Sequence, residues 1–482
     1  MNIIELFNRS FQERKEKIAL IIQEDAFTFG ALDFRSNQMA NLLLSKGLRK
    51  GDRLCLYLEN CMEFIDLYLA CLKIGVIIVP VNILYRDREI NHIVKDANPK
   101  GFVAAEHIAQ VDTWIVSELA EQAKPQSTVL NSLPLSVDDA AAIIYTSGTT
   151  GTSKGAVLSH NNFIANTNNL NTCWKITKDD KLLLGLPLFH VHGLANGMHC
   201  LLAAGGTIRL LPRLEHQKLP ALFEDFMPTL FYGVPTVYVR LLDQPDEVAK
   251  AMSKSVRLFV SGSAPLPPQV LVEFKTKYGQ VILERYGMTE TLMNISNPYE
   301  GERRAGTVGF PLPDTSVKIV RPDGKIAGIE EEGEIHIKGP NVFTQYWNRP
   351  DATHEAFENG YFKTGDMAVI SNDGYYTLRG RKSELIISGG FNIYPREIEE
   401  FLMELDEIKE AAVIGVPDKI RGELPVAFIV PNGQLNEELI LEKCKKALAS
   451  FKIPKRFVSL DALPRTALGK VQKHLLKLNN SE

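Results

Sequence analysis

The sequence predicts an α/β protein with a large N-terminal domain of stacked α/β sheets and a small β-barrel-like subdomain, followed by a small, mobile α+β lid domain. Three observations lead there. The chain has 482 residues, more than a single hydrophobic core usually serves. As far as the neighbourhood of residue 300, short apolar runs alternate with amphipathic stretches, the pattern of helices layered on parallel strands. Beyond that point the apolar runs shorten between Gly, Pro and Asp, and after Arg381 the rest of the chain has the size of a compact small domain. The expected division is therefore 1–381 and 382–482.

Each element follows from its local pattern. Arg53 to Leu58 (RLCLYL), Val76 to Val81, Ala140 to Tyr145, Leu182 to Leu186, Thr207 to Leu211 and Val256 to Ser261 are short apolar runs that read as buried strands. Phe64 to Lys73 and Pro268 to Lys277 read as helices between them. Gly306 to Val320, Gly333 to Lys338, Asp366 to Ile370 and Tyr375 to Leu378 read as the short strands of the subdomain. Pro395 suits the first position of a helix, and Glu397, Glu399 and Glu400 sit near that helix's positive end. Strands at Ala411 to Val416 and Val426 to Val430 and a helix around Glu437 to Ala449 complete the lid.

Composition narrows the function classes. Hydrophobic residues make up 45% and charged residues 23%, as in globular proteins. A net charge of −4 offers no whole-chain argument for nucleic-acid binding. The six cysteines form no CxxC pair, which fits a reduced cytoplasmic protein better than a disulfide framework or zinc site. The mixed-charge N-terminus is unlike a secretory signal, and the most apolar stretch, Leu67 to Leu84, is interrupted by Lys73, Pro80 and Asn82, too early to span a bilayer. A cytoplasmic monomer or homodimer is expected.

One segment carries chemistry. YTSGTTGTSKG, residues 145 to 155, has nine Gly, Ser or Thr among eleven residues and directly follows an apolar strand. Glycines let successive backbone N–H groups face one concavity, hydroxyls add donors, and Lys154 adds a point charge, so a phosphate cradle is favoured over a linker. It is not a Walker A motif, because GxxxxGK[ST] is absent.

The segment resembles the phosphate loop of the acyl-adenylate-forming superfamily, which includes acyl-CoA synthetases. Further signatures stand in that family's order: PLFHVHGL at 187–194, GVPTVY at 233–238, SGSAPL at 261–266, ERYGMTET at 284–291, GEIHIKGPNVF at 333–343, YFKTGD at 361–366, GRKSELIISGGFNIYPREIE at 380–399 and PRTALGK at 464–470. The resemblance implies ATP, Mg²⁺ and CoA as co-substrates and cofactor. It implies that Thr146, Ser147, Gly148, Thr149, Thr150, Gly151 and Lys154 hold the β- and γ-phosphates. Ser263, Glu284, Tyr286 and Gly287 belong to the nucleotide site, with the Tyr286 ring facing adenine, while Thr289 meets the α-phosphate and Glu290 ligates Mg²⁺. Asp366 would hold the ribose diol, and Arg381 would reach ribose or phosphate. Lys470 would bridge carboxylate and α-phosphate, entering from the lid. His190 would gate the pantetheine tunnel, which Gly389, Gly390 and Phe391 would line; His192 is expected only to pack. Ser383 stands at the usual hinge position, where relatives more often carry Asp or Lys. Lys452, Lys455, Arg456 and Lys473 either meet CoA phosphates or form a solvated basic face.

The acid is the finer question. Arg240 within GVPTVYVRLL, Arg285 within ERYGMTE, and MNISNPYEGERRAGTVGFPLPD at 293–314 resemble malonyl-CoA synthetases, including methylmalonate users. A guanidinium grips a carboxylate through a bidentate fork, and a dicarboxylic acid needs such a grip at its unreactive end. Met288 and either Ser261 or Ser263 would complete that pocket. The alternatives are a short- or medium-chain monocarboxylate ligase, an enzyme loading a carrier protein, and a catalytically inactive nucleotide sensor.

Overall fold

The computed structural model describes all residues except 1, 110, 132, 147–152, 389–390, 419, 434, 467–468 and 478–482, and leaves out the side chains of 391 and 392. Two large sheets carry the N-terminal part. The nine-stranded one runs in space Phe310–Pro311, Leu292–Ser296, Leu283–Met288, Leu258–Ser261, Leu230–Gly233, Lys181–Leu184, Thr207–Leu210, Ile18–Ile22, Asp25–Thr28. Its interior pairings are parallel and both edges are antiparallel.

The seven-stranded sheet runs Gln345–Tyr346, Lys154–Ser159, Ala140–Thr146, Ile77–Pro80, Arg53–Tyr57, Gly101–Ala104, Thr113–Ile115. Strand Ala140–Thr146 pairs antiparallel with Lys154–Ser159, so Thr146 and Lys154, near the two ends of the glycine-rich segment, lie opposite each other in this sheet. The second strand of that pair is absent from the runs the sequence pattern selects. Helix Met62–Ile74 is buried on nearly every side, as a helix enclosed between layers must be. One apolar cluster, from Ile3 to Tyr376, joins the two sheets and the helices between them.

The subdomain is a five-stranded antiparallel sheet of Ser316–Val320, Gly333–Lys338, Phe357–Glu358, Tyr361–Ile370 and Tyr376–Arg381. The C-terminal part is built on a long antiparallel pair, Ile408–Asp418 with Gly422–Pro431, flanked by Ile386–Ser388, Phe391–Ile393 and Arg456–Ser459. Helix Pro395–Met403 does begin with its proline. This sheet has its own apolar clusters on two faces, one around Ile398, Leu402 and Ile440 and one around Val426, Phe428 and Leu463. Among the described residues no helix is long and apolar enough to cross a membrane.

Candidate active site

The carboxyl ends of the parallel strands Leu230–Gly233, Leu258–Ser261 and Leu283–Met288 converge on one region, where open α/β sheets bind ligands. The last of these turns back sharply onto Leu292–Ser296. Gly287 makes the reversal possible, because a Cβ there would stand 2.0 Å from the Leu292 carbonyl oxygen. The turn leaves Thr289 and Glu290 buried at its tip.

Three segments meet around Tyr286. Its hydroxyl donates to Asp366 Oδ2 at 2.6 Å, and Asp366 Oδ1 pairs with Arg381 Nε at 2.6 Å. The strand register sets Asp366 opposite Arg381. Burial pushes the Asp366 carboxyl up, and the Arg381 charge opposes that push. A carboxylate has about four lone-pair sites, so accepting capacity remains for a diol.

Glu290 accepts from the Tyr346 hydroxyl at 3.1 Å, and the Lys154 ammonium stands over the Tyr346 ring at 5.2 Å. The lysine of the glycine-rich segment and the glutamate of MTE are thereby brought to one place. Glu290 is a hard oxygen donor. Among the described residues no group of three His, Cys, Asp or Glu could hold a metal ion alone. An ion beside Glu290 would take its other oxygens from phosphate and water, the habit of Mg²⁺. Thr146 is half-buried at the strand end; Ser147 to Gly151 lie outside the described residues, as do Gly389, Gly390 and the side chain of Phe391.

Lys470 reaches this cleft from the C-terminal part. Gly469, at φ +78°, is pressed so near helix Pro235–Leu242 that a Cβ would meet Thr236 Oγ1 at 3.2 Å. The Lys470 side chain keeps solvent access but is crowded by the cleft walls. Desolvation, then the charge of Arg381, lowers its pKa, while Glu384 and Asp366 hold it up. Lys382, next to Ser383, pairs with Glu334 at 2.9 Å across the junction of the two parts. Lys452 pairs with Glu397, and Lys473 with Glu384 and Glu399, so these two cations are already engaged.

The second half of the site is built around Arg285. It is 5% exposed, and its Nε and Nη2 have no hydrogen-bond partner. Burial lowers its pKa to about 10, still far above neutrality, so it remains a cation. The guanidinium lies directly on Gly262, where a Cβ would stand 2.1 Å from Cζ. Period-two alternation with Tyr232 opposite Val260 and Val260 opposite Leu283 puts Tyr232, Gly262 and Arg285 on one face of the sheet. The segment His192–Met198 is a π-helix, a geometry often found at functional sites, and the His192 ring stacks on Tyr232. The half-buried His190 accepts the backbone N–H of His192 on Nδ1 at 3.2 Å, and burial beside Arg285 lowers it to about 4. It is therefore neutral, with its ring proton on Nε2.

One expectation is corrected and another is narrowed. Arg240 is not buried beside Arg285: it lies on the side of its helix that carries Thr236, which meets Gly469. Val237, Tyr238 and Leu241 form the buried stripe of helix Pro235–Leu242, and Arg240 falls on the exposed side. Ser261 is set opposite Glu284 and Gly233, on the sheet face away from Arg285. Ser261 and Glu284 instead share the opposite face: Glu284 accepts the Leu266 N–H at 2.9 Å, and burial pushes its carboxyl up to about 7. Met288, partly buried, follows at the turn. Ser263 adopts φ +71°, uncommon for a non-glycine residue, with its Oγ 3.1 Å from His192 Nδ1. Sequence reasoning had no place for Gly262 or Tyr232. Their only advance signal was proximity to SGSAPL and GVPTVY.

Comparison with known proteins decides the family. The model of the AMP-binding enzyme matches residues 7–347, and that of the AMP-binding enzyme C-terminal domain matches 397–470. The chain is an AMP-binding enzyme. A malonate–CoA ligase of Arabidopsis thaliana is 32% identical to this AMP-binding enzyme over all of the chain and 90% of the relative. A long-chain-fatty-acid–CoA ligase of Bacillus subtilis is 31% identical over 97% and 92%. ATP-bound MatB from Rhodopseudomonas palustris superposes with a TM-score of 0.93 at 39% identity, covering 98% of each chain, while the apo form of that protein gives 0.82.

Proposed function

We propose that this AMP-binding enzyme is an ATP-dependent ligase that joins a small dicarboxylic acid, malonate or methylmalonate, to CoA through an acyl-AMP intermediate. The observation that carries the choice of acid is the buried, unpartnered Arg285 guanidinium. Identity to relatives does not separate malonate from long-chain acids, because ligases for both stand about equally near. A buried cation without a partner is costly, and a fatty-acyl chain would leave it so. The distal carboxylate of a dicarboxylic acid supplies the missing partner through two parallel N–H···O bonds.

The reacting carboxylate then points toward Lys470. It attacks the α-phosphorus of ATP, and pyrophosphate leaves on the side of Lys154 and the glycine-rich segment. Lys470 and Thr289 stabilise the charge gathering on the α-phosphate, and Glu290 would hold Mg²⁺, which would supply further neutralisation of phosphate charge. Asp366, backed by Tyr286 and Arg381, holds the ribose. Catalysis here is chiefly positioning and electrostatic stabilisation. The CoA thiol next attacks the acyl carbonyl, AMP departs, and His190 lies where acid and thiol meet.

The test is Arg285→Met, assayed by CoA-dependent AMP formation with malonate and with acetate. Losing one partner of a buried ion pair costs about 2–5 kcal/mol, so kcat/KM for malonate should fall by roughly 30-fold or more, with acetate spared. Equal losses on both acids would contradict the dicarboxylate reading. A monocarboxylate ligase would show acetate or hexanoate preferred by the wild type itself.

A further inference from the structure

We infer that His192, oriented by Ser263, is the second specificity-determining donor in the acid pocket: its Nε2–H reads the distal carboxylate beside the Arg285 guanidinium. The inference rests on the dicarboxylate reading above and adds a residue that reading does not need.

Four observations converge on Nε2. The ring is 2% exposed, yet Nε2 is buried with no partner, although unpaired buried polar atoms are rare and call for a reason. The other ring nitrogen, Nδ1, is 3.1 Å from Ser263 Oγ. The ring lies nearly parallel to Tyr232, at 19° with centroids 6.4 Å apart, and Tyr232 shares the sheet face of Arg285. The Tyr232 hydroxyl is likewise buried and unpartnered. Unmatched groups on His192 and Tyr232 therefore lie within reach of the Arg285 charge, and a carboxylate could satisfy all three.

Burial settles the charge, and we place the one remaining ring proton on Nε2. Burial, with Arg285 and His190 adjacent, keeps the His192 ring neutral. A neutral imidazole donates at one nitrogen and accepts at the other. A Ser263 hydroxyl donating to Nδ1 leaves the proton on Nε2, facing the anion. The strained φ of Ser263 is what brings its hydroxyl to the ring. A site built from polar groups rejects an analogue that leaves them unpaired more strongly than an apolar pocket rejects an extra methylene.

The experiment compares malonate and propionate, which differ in the distal group, in steady-state kinetics of His192→Phe, His192→Asn and His192→Gln. A hydrogen bond to a charged group corresponds to about a 10–100-fold change in affinity. Phe, without a donor, and Asn, whose amide matches only the Nδ1 position, should raise KM for malonate about 10–100-fold with kcat little changed. Gln, whose amide nitrogen reaches the Nε2 position, should restore malonate KM to within about threefold of wild type. Propionate KM should not rise in any of them. Malonate KM within twofold of wild type in His192→Phe would overturn the inference, as would a parallel loss on both acids or the absence of rescue by Gln. Ser263→Gly keeps the backbone comfortable and removes only the hydroxyl, so it provides the same test if the His192 variants do not fold. It should raise malonate KM several-fold, and an unchanged value would contradict the orienting role. The two readings fail separately. A wild type that uses propionate but not malonate refutes both. A wild type whose malonate preference vanishes in Arg285→Met but survives in His192→Phe refutes only this one.

Discussion

Replacing Gly262 by alanine perturbs the acid site through one methyl group. The Cβ would stand 2.1 Å from Arg285 Cζ, 2.3 Å from Nη1 and 2.4 Å from Nε. Non-bonded contacts settle near ~3.5 Å or more, so the guanidinium must withdraw by roughly 1.4 Å. It can do so, because it is the far end of a flexible side chain and Gly262 does not require positive φ. The protein should therefore fold, with a destabilisation of about 1–3 kcal/mol for the overpacking. Misplacing a substrate-positioning group by about 1 Å costs on the order of 100-fold in rate. kcat/KM for malonate should fall about that much, while acetate, which has no distal carboxylate, should change only several-fold. The assay is AMP formation with each acid, beside urea denaturation of the same samples. A folded variant with malonate kcat/KM within threefold of wild type would refute the seat assigned to Arg285.

Two other outcomes follow. Lys470→Ala should abolish acyl-AMP formation, followed by pyrophosphate release, yet spare thioester formation from supplied acyl-AMP; equal loss of both half-reactions would remove Lys470 from its assigned role. Glu284→Gln tests the buried carboxyl. Burial raises its folded pKa to about 7 from the ordinary 4.5, so its contribution to stability is complete below 4.5 and is lost as pH rises through 7. The Gln variant, neutral throughout, should match wild type near pH 4.5 and exceed it by a few kcal/mol at pH 8, at about 1.36 kcal/mol per pKa unit. A difference independent of pH would show that Glu284 does not titrate in that window.

Much of this site can be read in the chain because its parts lie in contiguous motifs. ERYGMTE and YFKTGD place their residues through local backbone geometry, and the fold had only to bring these segments together with Lys154 and Lys470. What required inter-strand register was illegible. Ser261 and Arg285 belong to neighbouring strands, and one residue of register decides whether they share a face. Arg240 was partly legible: Val237, Tyr238 and Leu241 already mark the inward stripe at helical spacing, which leaves residue 240 outside it. Alternating apolar runs located the strands, but Lys154–Ser159 escaped because its first three residues, Lys154, Gly155 and Ala156, carry no strand preference. The π-helix at His192–Met198 has no simple local code, so the histidine on which the acid pocket turns looked like packing.

The central claim is that a buried guanidinium selects a dicarboxylic acid. The direct measurement is wild-type AMP formation over malonate, methylmalonate, acetate, hexanoate and benzoate, with and without CoA. The account predicts CoA-dependent turnover with malonate or methylmalonate at a kcat/KM at least roughly tenfold above every monocarboxylate, the span of about 1.4 kcal/mol. A monocarboxylate turned over as well as either diacid would contradict it.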